Sequence, residues 1–197
     1  MKKECCSVLA AIALATFLYA PEALALTETL TAPQITEALE FGAANAGRIE
    51  AVLSDLYGCC GKQRDLVIRS KWCKLALLAG IKAQQGGAAA ASDQAQIMQD
   101  SNLQIDIAVY GPVIDFARDY RARIEQDNAT VKPELLHADH FQKGKNLPAS
   151  GHDFSPWYAI IRAYFPYKSL KLDHPFRLVL ETQREQRTYD IDPRKFK

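Results

Sequence analysis

The sequence predicts an α+β, mainly β protein: an antiparallel β-sandwich-like domain of about six to seven strands, with two N-terminal helices and a helical insertion after the first strand. Three observations carry that expectation. Up to about residue 101, apolar residues recur at helical spacing, apart from a β-branched run at 65–70. From Leu103 the period changes to two, as in half-buried strands. Turn residues then punctuate the chain, and no long strand–helix–strand crossover follows, which disfavours a parallel nucleotide-binding sheet.

The elements follow in order. Thr31 with Gln34 fits a capping box, and Pro33 in the first turn lacks an N–H that a helix start does not use. Ile35, Ala38, Leu39 and Gly42 keep the i, i+3, i+4, i+7 spacing, as do Ile49, Val52, Leu53 and Leu56, so helices are expected over about 32–44 and 48–57. Gly58 stands where a left-handed glycine ends a helix. DLVIRS (65–70) reads as a strand. KWCKLALLAGIKAQ (71–84) returns to helical period, with Trp72, Leu75, Ala76, Ala79 and Ala83 on one face. GGAAAA (86–91) is a loose connection, after which Ser92 would cap a helix running to about Asp100.

In the second half, Leu103, Ile105, Ile107 and Val109 point one way along a strand that Gly111-Pro112 ends. RDYRARIEQ (118–126) alternates Tyr120, Ala122 and Ile124 against charged residues. TVKPELLHA (130–138) is extended, with Pro133 making it an edge strand or a bulge. WYAIIRAYF (157–165) is apolar on both faces, as a central strand should be, and its Arg162 must reach a carboxylate or water. FRLVLET (176–182) and RTYDID (187–192) make a terminal hairpin.

The N-terminus has the pattern of a secretory leader. Lys2 and Lys3 precede an uncharged run, CCSVLAAIALATFLYA (5–20), then Pro21 and the small residues of ALA (23–25), which place cleavage between Ala25 and Leu26. The run is shorter than the ~20 residues that span a bilayer. The expected division is a leader over 1–25, a helical segment over 26–63, and a β-sandwich-like domain over 64–197 carrying the insertion 71–101. The expected location is the periplasm or the extracellular space, with no membrane span left after cleavage. With 24 Lys+Arg against 23 Asp+Glu, the charge balance gives no push toward nucleic acid.

The stretches EALEFG (37–42), LVIRSKWCKLALLA (66–79), IDIAVYG (105–111), DFARDYRARI (115–124) and YAIIRAYFPYKSL (158–170) give the chain a resemblance to a loosely defined family of small exported bacterial proteins of unknown function. The resemblance implies export and a β-rich domain, and it implies no catalytic residue.

Several constellations invite a chemical reading. HADH (137–140) contains two histidines three residues apart, with His152 and Asp153 in the polar loop that follows. On a helix His137 and His140 would converge, whereas on a strand they point to opposite faces, and a metal site needs further ligands at defined spacing. These four residues are weak metal candidates, and no cofactor is assigned. SGHDFS (150–155) holds the residue types of a hydrolytic triad without the spacing of a nucleophile elbow. Six aromatics in FSPWYAIIRAYFPYK (154–168) offer either a stacking surface or the filling of a sandwich, and the second reading is preferred. Asp115, Arg118, Asp119, Arg121 and Arg123 read as a solvated strand face rather than an anion site.

Cysteine count supplies the last expectations. Removing the leader leaves Cys59, Cys60 and Cys73, an odd number. Cys73 is separated from the other two by the strand at 65–70, so it reads as a small buried residue of the following helix. Cys59 and Cys60 follow a helix C-terminus without the spacer of a redox pair, where the dipole disfavours a thiolate. They stand as free thiols, a vicinal disulfide, or a link to a second copy in a homodimer. The functional expectation is a non-catalytic binding, scaffolding or assembly role toward a protein or small ligand of the bacterial cell envelope. The alternative is a metal-dependent or hydrolytic envelope enzyme built on the His137–Asp153 region.

Overall fold

The computed structural model describes residues 26–57, 65–142 and 157–196. Among the described residues, four α-helices and eight strands, the strands in two antiparallel sheets, make an α+β fold of the sandwich-like kind expected. The helices are α1 (Ala32–Ala44), α2 (Ile49–Tyr57), α3 (Lys71–Gln84) and α4 (Ala91–Gln99). The strands are β1 (Leu66–Arg69), β2 (Asn102–Gly111), β3 (Arg121–Gln126), β4 (Ala129–Val131), β5 (Leu135–Gln142), β6 (Trp157–Pro166), β7 (Phe176–Glu181) and β8 (Gln186–Ile191). One sheet runs β1-β2-β6-β5 and the other β4-β3-β7-β8.

Capping chemistry sets the helix starts. Gln34 Oε1 accepts from the Thr31 amide at 2.8 Å, closing the start of α1. Ser70 Oγ accepts from the Cys73 amide at 3.2 Å at the start of α3. α4 departs from expectation: Ala90, not Ser92, is its N-cap, and it makes no side-chain cap bond.

Pairing register places the period-two residues as their pattern demands. Leu103, Ile105, Ile107 and Val109 have no exposed surface, and across from them Ala159, Ile161, Ala163 and Phe165 of β6 are equally enclosed. β6 is central, between β2 and β5, but its aromatics do not all fill the sandwich. Tyr158 and Tyr164 share the opposite face with Ile160 and Arg162 and are half-buried, whereas Phe165 lies inside.

Two segments differ from the expected boundaries. Residues 118–120 belong to a turn, so β3 begins only at Arg121 and Asp119 does not share a strand face with Arg121 and Arg123. The extended run 130–138 is two strands in different sheets. Pro133 sits between them and donates no ladder bond, and the chain leaves one sheet for the other there. Asp127 (φ 49°) and Asn128 (φ 66°) form the tight β3–β4 turn, a left-handed pair of the type that matches strand twist.

One contiguous core joins all of this. It runs from Leu26 and Leu30 through Leu53, Trp72 and Leu75 to the inward rows of both sheets and on to Phe196. A column of rings ties the helices to the end of the chain: Phe41 on Trp72 (5.2 Å between centroids), Trp72 on Tyr57 (5.9 Å), and Tyr57 on Phe196 (6.2 Å). No described helix is long and apolar enough to cross a membrane.

Candidate functional site

Strand geometry decides the fate of the histidine motif. β5 is extended through 137–140, so His137 and His140 project to opposite faces. His137 Nε2 lies 2.8 Å from Asp139 Oδ1 on the outward face. His140 meets the ring of Phe116 edge-on at 6.2 Å between centroids. His152 and Asp153, like Cys59, Cys60, the 1–25 leader and the SGHDFS stretch, lie outside the described residues. Among the described residues, no three His, Cys, Asp or Glu side chains gather as a metal site requires.

The outward face of the first sheet carries a ladder of charge that periodicity alone did not reveal. Arg69 of β1 donates through Nε to Asp106 of β2 at 3.1 Å and through Nη2 to Glu50 of α2 at 3.0 Å. Asp106 also accepts from Gln104 at 2.7 Å and lies 3.9 Å from Arg162 of β6. Arg162 in turn donates to Asp139 of β5. Positive and negative groups thus alternate across β1, β2, β6 and β5, ending at His137. Arg162 finds the carboxylate its apolar strand demanded. Arg69 and Asp106 are 12 % and 13 % exposed, whereas His137 at the sheet edge is 58 % exposed, so the ladder grades from enclosed to wet.

Cys73 stands behind this ladder, with no exposed surface. Burial pushes its thiol up to about 12, against the opposing pull of the Arg69 guanidinium. It is a free, protonated thiol, not a nucleophile. The same neighbours act on Arg69 in reverse: burial opposes its charge, but Cys73, Glu50 and Asp106 together hold its pKa above the ordinary range.

At the other sheet, an open groove of about 980 Å³ lies between the β3–β4 turn, β7, β8 and the C-terminal turn. Leu56, Phe176, Ile191 and Phe196 supply its apolar lining, and Leu56 is 51 % exposed. Its rim is charged but internally matched. Asp127 takes Lys171 at 2.8 Å and His174 at 3.3 Å, Arg177 takes Asp190 at 2.8 Å, and Asp192 takes Arg194 at 2.8 Å. Under the rim, Gln126 locks the segment 171–174. Its amide donates to the carbonyls of Lys171 (2.8 Å) and His174 (3.0 Å), and its oxygen accepts from the Lys171 amide (2.8 Å). A glutamine ending an alternating strand carries no sequence signal of this role.

The charged residues of 115–123 are spread between the turn and β3. Arg123 pairs with Glu125 at 3.0 Å and with Glu181, and Arg118 is 3.8 Å from Asp115 in the turn. Comparison with known proteins gives no family model, no curated relative and no solved structure similar to this chain.

Proposed function

We propose that this chain is an exported domain of the bacterial cell envelope with a non-catalytic binding or assembly role, in keeping with the family resemblance of its sequence. The observation that carries the binding role is the groove beside the β3–β4 turn. It is open, and it exposes a large aliphatic residue at Leu56 beside a rim on which Asp127, Arg177 and Asp192 already hold ion-pair partners. The histidines of β5 diverge and the Cys73 thiol is enclosed, so the described reactive groups do not converge. Export is supported by the leader pattern over 1–25.

Two measurements test this reading. N-terminal sequencing of protein recovered from the periplasm should begin at Leu26; recovery of the uncleaved chain in the cytoplasm would sink the export reading. Capture from an envelope extract should retain a partner with the wild type and lose it with Leu56→Glu, and equal capture by both would move the binding surface elsewhere. A disulfide-linked homodimer through Cys59 or Cys60 is read from a non-reducing gel.

The runner-up is a metal-dependent or hydrolytic enzyme of the His137–Asp153 region. It draws on the exposed His137 held by the Asp139 carboxylate, an arrangement that orients a base or a ligand. Stoichiometric zinc, copper or nickel in purified protein, lost in His137→Ala, would favour it over a binding role.

A further inference from the structure

α4 is held differently from the other helices. Like α2 it has nine residues, fewer than the roughly 12–15 at which an isolated helix becomes stable in water, but unlike α2 it buries none of them fully. Its N-cap is an alanine that satisfies none of the first-turn amides, and no residue along it is fully buried. The chain enters it through Gly86-Gly87, whose amides cap α3 on the Ala83 and Lys82 carbonyls with Gly86 at φ +78°, and then through three alanines. Its exit is fixed. Asp100 accepts from the Asn102 amide at 3.0 Å and takes Lys74 Nζ at 2.5 Å, and the Ser101 carbonyl accepts from the Tyr167 amide at 2.9 Å.

Between those ends little holds it down. Ile97 and Met98 pack partly against the core. Lys82 and Asp93 are 3.9 Å apart and about two-fifths exposed, a pair of small worth. Gln94 Nε2 donates to the Ala89 carbonyl at 3.0 Å within the entry segment, and the contact from the body of the domain is Lys71, which is only 5 % exposed. Its ammonium donates to the Met98 carbonyl at 2.7 Å and lies 5.6 Å from the centre of the Tyr167 ring. That carbonyl belongs to the last turn of α4, where helix carbonyls lack partners and a cation is favoured.

We propose that α4 is a strap that opens and recloses against an otherwise intact domain, with the Lys71 ammonium on the Met98 carbonyl as its catch. Opening gives up two half-buried apolar contacts, the exposed Lys82–Asp93 pair and one charge-assisted hydrogen bond, while Asp100 and Ser101 stay anchored to β2 and Tyr167. The opened form uncovers Lys71 on the Tyr167 ring and the α3 surface beside it.

Hydrogen exchange of the full chain, followed by mass spectrometry across low denaturant concentrations, tests this. Amides of 91–99 should exchange at least about 100-fold faster than those of β2 and β6, with little dependence on denaturant. Lys71→Met should speed exchange over 91–99 by about 10-fold and leave β2 and β6 unchanged. Exchange of 91–99 only through global unfolding, with the denaturant slope of the core strands, would overturn the strap. Equal acceleration of all segments in Lys71→Met would overturn the catch. Should that variant fail to fold, the wild-type denaturant series alone decides.

Discussion

Cys73 and Gln126 are both enclosed polar residues, and the structure treats them in opposite ways. The Cys73 thiol is kept neutral by burial, which raises its folded pKa to about 12 against an ordinary 9.0. A raised folded pKa stabilises the fold fully below the unfolded value and loses that contribution as pH rises toward the folded one. From pH 8 to pH 10 the unfolding free energy of wild type should therefore fall by about 1.4 kcal/mol relative to Cys73→Ala, read from urea titrations at each pH. The same enclosure predicts that Cys73 resists a thiol reagent until the protein unfolds. Gln126 instead satisfies three partners at once. Gln126→Leu keeps the volume but strands the His174 carbonyl and the Lys171 amide, while the Lys171 carbonyl keeps the His174 amide, which should cost about 1–3 kcal/mol in chemical denaturation. A loss under ~0.3 kcal/mol would mean that water replaces the amide.

At the scale of elements, the close crossing of α1 and α3 rests on Gly42. A Cβ there would lie 2.0 Å from the Ala76 carbonyl oxygen of α3, a main-chain atom that cannot swing aside. Alanine is the better helix former by about 1 kcal/mol, yet Gly42→Ala should lower the melting temperature, with a net loss of about 1–3 kcal/mol from forced separation. The charge ladder makes a second prediction at this scale. Asp106 faces Arg69 and Arg162 together. Asp106→Ala should cost about 2–3 kcal/mol, because the largely enclosed Arg69 guanidinium keeps Glu50 but loses the more enclosed of its two carboxylates, and the Arg69→Met/Asp106→Leu double variant should be milder than Asp106→Ala. Equal or greater loss in the double variant would show that the ladder itself, rather than an orphaned charge, is what stability depends on.

On the scale of the whole molecule, one core spans the N-terminal helices, both sheets and Phe196. Unfolding followed by the fluorescence of Trp72 and Trp157 and by far-ultraviolet circular dichroism should coincide in a single transition, and separated midpoints would show that the helices and sheets unfold independently. The sequence by itself determined the elements wherever one face of a helix or strand is buried: α1, α2, α3, β2 and the β7–β8 hairpin follow from periodicity, since burial of one face imposes a period of 3.6 or 2 on any such chain. Opposite placement of His137 and His140 also follows once 135–142 is extended. Tertiary structure alone decided what periodicity cannot encode. It divided 130–138 between two sheets, because an extended run reads alike whichever neighbour it pairs with. It set Tyr158 and Tyr164 outward, because β6 is apolar on both faces and gives no signal for which is inside. And it brought Glu50, Arg69, Asp106, Arg162 and Asp139 into one line, because cross-strand ion pairs depend on strand order and register, which join residues far apart in the chain.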